Sequence, residues 1–104
     1  MTGFWTVRFN TPQGVGAGVA YFTETEVFGG DSGFKYVGTY KSDGANINAD
    51  LRVSPHFPGI QTVFGSAQAF DLKIVGTISG NTMSGRGAAS HAPGVPFNVT
   101  LTRS

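Results

Sequence analysis

The sequence predicts a small all-β domain, an antiparallel up-and-down barrel of about eight strands with at most one short helix. Apolar and polar residues alternate with period two in several segments, most clearly over residues 45–53. Glycine occurs 16 times, without a collagen-like period, which is typical of many turns and tight strand crossings. Only 12% of the residues are charged, which disfavours long exposed helices. The length of 104 residues predicts one domain, residues 1–104.

Alternation and turn residues place the elements in order along the chain. The predicted strands cover residues 5–9, 15–21, 24–28, 34–40, 45–53, 70–78, 82–88 and 97–101. Asp43-Gly44 is the strongest hairpin signal, because both residue types tolerate a positive φ. Pro55 and Pro58 cannot donate ladder hydrogen bonds, so they end the fifth strand. Between Pro55 and Ser66 we expect at most one helical turn, placed over one end of the barrel.

The segment 29–40 is the most informative part of the chain. Its glycine-rich turn, residues 29–33, predicts a positive φ for at least one glycine. We also expect Asp31 or Ser32 to cap the turn through its own side chain, with ligand binding by Asp31 as the less favoured hypothesis. Beyond the turn, the inward face carries three rings interrupted by Gly38, and such a gap lets a backbone or a ring approach closely.

The apolar faces of the strands define a predicted core. Its members are Trp5, Val7, Phe9, Tyr36, Tyr40, Ile47, Leu51, Leu72, Ile74, Val99 and Leu101. Aromatic residues make up 12% of the chain. They fill the barrel, or they surround a cavity for an apolar ligand, as eight-stranded barrels can do. Both interpretations stay open, and the small chain favours a filled interior.

The residues do not predict catalysis. There is no Cys, and His56 follows Pro55 while His91 lies two residues before Pro93, with no further His or Cys to complete a metal site. Asp50 and Asp71 occupy polar strand positions, which predicts solvent exposure and not a paired-carboxylate site. No nucleophile elbow marks a catalytic serine, and the glycines of residues 14–18 lack the helix and Lys of a phosphate loop. We therefore expect no cofactor, no metal and no enzyme activity.

Charge and hydropathy restrict the partners and the location. The Lys and Arg residues are spread singly and the formal net charge is +1, so we expect no direct contact with nucleic acid. The apolar runs are too short for a membrane span. The N-terminal segment shows no basic stretch followed by an apolar run, so we expect no signal peptide and a cytoplasmic location in a bacterium.

Several residues are candidates for contact with a protein. Phe22, Phe28 and Val37 lie opposite the main apolar rows of their predicted strands, so we expect an exterior apolar patch and a homodimer that uses at least one of them. Phe57 stands between His56 and Pro58 and is predicted to be an exposed ring that anchors a partner.

Four segments resemble the type III secretion negative regulator (GrlR-like) family. They are residues 3–9, 16–19, 29–40, and a discontinuous match through 63–65, 70–72 and Gly76. The resemblance implies a lipocalin-like dimeric barrel that binds and silences a transcriptional activator without binding DNA itself. The family's acidic hairpin corresponds to residues 41–44, where Lys41 and Asp43 are the candidate contacts and Asp43 is the only acid. A carrier of a small apolar ligand is the alternative function, and an enzyme is the least favoured.

Overall fold

Eight antiparallel strands close into an up-and-down barrel in the computed structural model, which confirms the predicted fold class. The strands are β1 (Gly3–Thr11), β2 (Gly14–Phe22), β3 (Glu26–Gly30), β4 (Phe34–Asp43), β5 (Asn46–Pro55), β6 (Phe70–Ser79), β7 (Thr82–Ala89) and β8 (Asn98–Arg103). The structure describes residues 1–57, 59, 68–95 and 97–104, and these residues include no helix. Most of the segment in which a helical turn was predicted lies outside the described residues.

The barrel has two different ends, because each connection reverses the chain. We call the end with the β1–β2 turn, the β3–β4 turn and the two longer connections, β5–β6 and β7–β8, the loop end. The terminal end carries both termini and the β2–β3, β4–β5 and β6–β7 turns. Strand β8 pairs with β1 from Trp5 opposite Arg103 to Asn10 opposite Asn98, and this pairing closes the barrel. Closure gives the outer strands partners and so removes the edges that an open sheet would expose.

Two hairpins at the terminal end use glycine at the first central position of a two-residue turn. Gly44 has a φ of +62° and follows Asp43, which pairs with Asn46. Gly80 has a φ of +60° in the β6–β7 turn. Glycine at this position is the preference of type II′ turns, whose twist suits antiparallel strands. The predicted hairpin at this place is therefore confirmed, but its central residues are Gly44 and Ala45, and Asp43 is the last residue of β4.

Ten of the eleven predicted core residues are buried. The exception, Leu51, is half-buried, and it pairs with Gly38, which has no side chain to cover it. A Cβ built on Gly38 would lie 1.9 Å from the backbone oxygen of Asp50, so the strands approach here as only glycine permits. The close approach expected from the gap among the β4 rings is confirmed.

Rings fill the terminal end of the barrel. Trp5 is fully buried and donates its indole N–H to the carbonyl oxygen of Met1 at 2.8 Å. The guanidinium of Arg103 stacks over the indole, 4.4 Å from the ring centre, as a cation–π pair does. Phe22 lies between Trp5 and Tyr40, with ring centres 6.3 Å and 5.2 Å away. We call Trp5, Phe22 and Tyr40 the terminal ring cluster.

A core substitution tests this inward assignment. Leu72 is 3% exposed, so Leu72→Ala should lower the free energy of unfolding by about 2–5 kcal/mol, because it removes buried methyl groups and leaves space behind. Val75 lies on the same strand, faces outward and is 59% exposed. Val75→Ala should therefore change stability by less than about 0.5 kcal/mol in the same urea titration. Equal effects of the two substitutions would contradict the assignment.

Candidate functional site

The middle of the barrel contains an apolar cavity of about 170 Å³. Its walls include Val7, Val27, Leu72, Ile74, Val99 and Leu101. The preferred prediction of a filled interior is wrong at this level of the barrel. The physical reason is the size of the inward side chains, because β2 and β5 contribute Ala20 and Ala49 here, where other levels have rings.

Rings also lie on the loop side of the cavity. The rings of Phe9 and Tyr36 meet edge to face with centres 5.7 Å apart, and Phe97 lies 6.3 Å from Phe9. The cavity wall includes Phe9 and Tyr36 and extends to Asp31 and the exposed Ser32 in the β3–β4 turn. The cavity thus lies between two ring clusters and has its polar groups at the loop end.

Asp31 organises the β3–β4 turn. Its Oδ1 accepts hydrogen bonds from the backbone N–H groups of Gly33 at 3.0 Å and Phe34 at 2.8 Å. This confirms the predicted side-chain cap. The predicted positive φ is wrong, because Gly29, Gly30 and Gly33 are not among the glycines that have one. The carboxylate satisfies the turn's N–H groups, so the turn closes without a left-handed residue.

The second carboxylate oxygen of Asp31, Oδ2, accepts a hydrogen bond from the hydroxyl of Tyr36. Burial first, and then the hydrogen bond to Asp31 and its negative charge, raise the pKa of the Tyr36 phenol far above its ordinary value. Room for the pair comes from Gly18, where an added Cβ would lie 3.0 Å from the Tyr36 hydroxyl and 3.3 Å from the Asp31 Cβ. Tyr36 is therefore a neutral phenol, and its hydroxyl hydrogen is engaged in the hydrogen bond to Asp31.

His56 joins the end of β5 to this turn. Its Nε2 lies 2.9 Å from the carbonyl oxygen of Asp31, which can only accept, so Nε2 carries the proton. The arrangement links two connections at the loop end, and His56 contacts the backbone carbonyl of Asp31, whereas the Asp31 carboxylate accepts from the turn and from Tyr36. His91 packs its ring against Phe70, with centres 4.7 Å apart.

The outer surface carries a row of large apolar side chains across four adjacent strands. Phe4 pairs with Tyr21, Tyr21 with Phe28, and Phe28 with Val37. These four residues are between 42% and 48% exposed. We call them the outer row. Residues directly opposite on neighbouring strands touch or nearly touch, so the row forms a continuous apolar strip.

Polar groups border the outer row. Next to Val37 in the register lies Arg52, which pairs with Asp71 at 3.0 Å. Both side chains are more than half exposed, so this ion pair contributes little to stability. Asp50 makes a similar exposed pair with Lys73 at 3.2 Å, which confirms the predicted exposure of Asp50 and Asp71. Apolar side chains within a charged border are typical of contact surfaces.

The structure separates the predicted contact residues. Phe28 and Val37 are exposed members of the outer row, as expected. The prediction for Phe22 is wrong, because this ring is 4% exposed and belongs to the terminal ring cluster. Lys41 and Asp43 are exposed further along β4, toward the terminal end. Phe57 is 57% exposed, as predicted, but it lies at the loop end, away from the outer row.

Phe4 and Tyr21 were not predicted as contact residues. A signal for them exists in the sequence, since each outer-row residue is next to a buried apolar residue. The pairs are Phe4-Trp5, Tyr21-Phe22, Val27-Phe28 and Tyr36-Val37. Consecutive apolar residues on a strand place apolar surface on both faces of the sheet. Ile74-Val75 is a similar pair, but Val75 faces Asn48 and Arg86 on its neighbours and stands alone.

The described residues hold no group of three or more His, Cys, Asp or Glu side chains that could bind a metal ion. In that same part of the chain, no helix has the length and apolarity to cross a membrane. A scan against protein-family models finds no match to this sequence, and a search of curated proteins finds none either. The site must therefore be interpreted from its own geometry.

The protonation of Tyr36 predicts a pH dependence of stability. The unfolded phenol releases its proton near the ordinary pKa of 10.0, whereas the folded phenol retains it. The stabilising contribution is complete below about pH 10 and is lost as the pH rises above that value toward the raised folded pKa. The free energy of unfolding should then fall by up to about 1.4 kcal/mol per pH unit from this group alone.

Urea titrations of the wild type and Tyr36→Phe between about pH 8 and about pH 11.5 measure this effect. Tyr36→Phe should be less stable than the wild type at pH 8, and the difference should shrink above about pH 10. Tyr40→Phe is the control, since it removes the hydroxyl of another buried tyrosine and leaves the Tyr36–Asp31 pair intact, so the decline that Tyr36 causes should persist. Parallel pH profiles for the wild type and Tyr36→Phe would contradict the assigned protonation state.

Proposed function

We propose that this chain is a non-catalytic regulatory binding protein that acts through protein contacts on its outer surface. The observation that carries the proposal is the outer row, Phe4, Tyr21, Phe28 and Val37, in direct register across four strands. Monomeric proteins rarely leave such contiguous apolar strips exposed, and aromatic residues dominate the energetics of contact surfaces. The row thus supplies a place where association would remove apolar surface from water.

Self-association is the contact that the row fits best. An interface with two-fold symmetry brings the same patch of both copies together, so an apolar strip meets an apolar strip. Arg52 and Asp71 place one positive and one negative charge at the border of the row. A second copy that runs in the opposite direction would present the complementary charges to them. The proposed assembly is a homodimer through the outer row.

The regulated partner is proposed to be a transcriptional activator of type III secretion genes in the bacterial cytoplasm. The support is the resemblance of residues 3–9 and 29–40 to the negative regulator family. Lys41 and Asp43, which are exposed near the β4–β5 turn, are the proposed contacts at the position of the family's acidic hairpin.

A charge placed in the outer row tests the homodimer. Phe28→Asp should convert the dimer to a monomer in sedimentation at micromolar concentration, because dimerisation would bury an unpaired carboxylate. Val75→Asp is the matched control, since Val75 is also an exposed strand residue and stands apart from the row. The control should remain dimeric, and both variants should keep the far-ultraviolet circular dichroism of the wild type. A monomeric wild type would contradict the proposal.

Affinity capture from the native cell tests the regulatory role. Wild-type protein should recover a transcriptional activator, identified by mass spectrometry, and a Lys41→Ala/Asp43→Ala variant should recover less of it. Lys35→Ala is the control, since Lys35 is an exposed cation at the other end of the same strand. Recovery of a small molecule with no protein partner would overturn the regulatory role.

A carrier of a small apolar ligand is the second candidate, and the cavity of about 170 Å³ is the observation that favours it. Ligand sites in proteins are concave and mostly apolar, with a few placed polar groups, and this cavity fits that description. Its volume, however, is below the roughly 300–1,000 Å³ that drug-sized ligands occupy. The outer row therefore supports the first candidate more strongly.

A further inference from the structure

The cavity is the size of a single small ring. An engineered cavity of about 150 Å³, lined by aliphatic and aromatic side chains, stays dry and binds benzene. The cavity of this barrel, at about 170 Å³, has walls of the same chemistry. A long acyl chain exceeds this space, whereas a monocyclic aromatic molecule matches it. Size thus limits the ligand class before any polar contact is considered.

The polar end of the cavity offers acceptors. Both oxygens of the Asp31 carboxylate face donors of the protein, which are the N–H groups of Gly33 and Phe34 and the hydroxyl of Tyr36. Each carboxylate oxygen can accept more than one hydrogen bond, so capacity remains. The Tyr36 hydroxyl donates its hydrogen bond to Asp31, and its oxygen can itself accept a hydrogen bond from a ligand. Among the described residues of the cavity wall, Ser32 at the exposed rim carries a hydroxyl that can still donate.

We infer that the cavity binds a neutral monocyclic aromatic molecule that carries one hydrogen-bond donor, such as a phenol. The ring lies among the aliphatic residues, and the donor points to the oxygens of Tyr36 and Asp31. A ligand carboxylate is disfavoured, because it would bring a second negative charge beside Asp31, and the Ser32 hydroxyl at the rim is a neutral donor that does not offset that charge. This inference rests on the second candidate function, the interior ligand site.

The order of affinities distinguishes this site from a merely apolar cavity. Phenol and toluene have similar size, but phenol must lose the hydration of its hydroxyl to enter. In a cavity without acceptors, toluene therefore binds more tightly. A hydrogen bond to a charged acceptor reverses the order. We expect phenol to bind about tenfold more tightly than toluene, and benzoate not to bind.

Calorimetric titration of the full chain with phenol, toluene and benzoate makes this comparison. Ala49→Leu should abolish phenol binding, because Ala49 lines the cavity and a larger side chain fills it. Ala88→Leu is the matched control, since Ala88 is exposed on β7, and it should bind phenol as the wild type does. Asp31→Asn should remove the preference for phenol over toluene, and a thermal melt should show whether this variant is folded.

The outcomes distinguish a failure of the hydrogen-bond donor inference from a failure of the interior ligand site itself. Toluene binding as tightly as phenol, with both lost in Ala49→Leu, would overturn the donor inference and leave the interior site standing. Phenol binding that survives in Ala49→Leu would overturn the inference, because the ligand would lie elsewhere. If neither ring binds the wild type, the interior site itself fails. The wild-type comparison decides the inference even if Asp31→Asn does not fold.

Discussion

Closure of the barrel sets a fixed interior volume, which the alternate side chains of eight strands must share. Every strand contributes an inward residue only at each second position, so the order of large and small residues along the strands decides what is filled. Rings such as Trp5 and Tyr40 fill the terminal end, and Phe9 and Tyr36 lie toward the loop end. The cavity lies between these levels because the inward positions there are alanines and aliphatic residues.

Alternation in the sequence was sufficient for the fold and for most of the core, because period two assigns residues to two faces of a strand. It does not say which face points inward. On β2 the larger side chains, such as Val19 and Tyr21, point outward, and the inward face begins with Gly16 and Gly18. That choice depends on rings from other strands, for example Tyr36 over Gly18, which only the closed barrel brings together. The prediction for Phe22 failed for this reason.

The cavity and the outer row lie on opposite faces of the same strands. On β3, for example, Val27 lines the cavity and its neighbour Phe28 belongs to the outer row. On β4, Tyr36 and Val37 show the same relation. Only one layer of hydrogen-bonded backbone separates the cavity from the outer row. Consecutive apolar residues on these strands place one apolar side chain on each surface. Val75 on β6 shows that such a pair contributes to an outer row only where the residues opposite it on the neighbouring strands are also apolar.

In the β3–β4 turn, a single side chain closes a turn that a glycine with a positive φ could also close. The Asp31 carboxylate accepts hydrogen bonds from two N–H groups of its own turn and from the Tyr36 hydroxyl. The backbone carbonyl oxygen of Asp31 accepts a further hydrogen bond from His56. These bonds tie the turn to the inside of β4 and to the chain beyond β5. A glycine turn with a positive φ would reverse the chain equally well, but it would place no carboxylate beside the cavity. The polar end of the cavity is thus a direct consequence of how this turn is closed, and any substitution that changed the turn would also change the polar lining of the cavity.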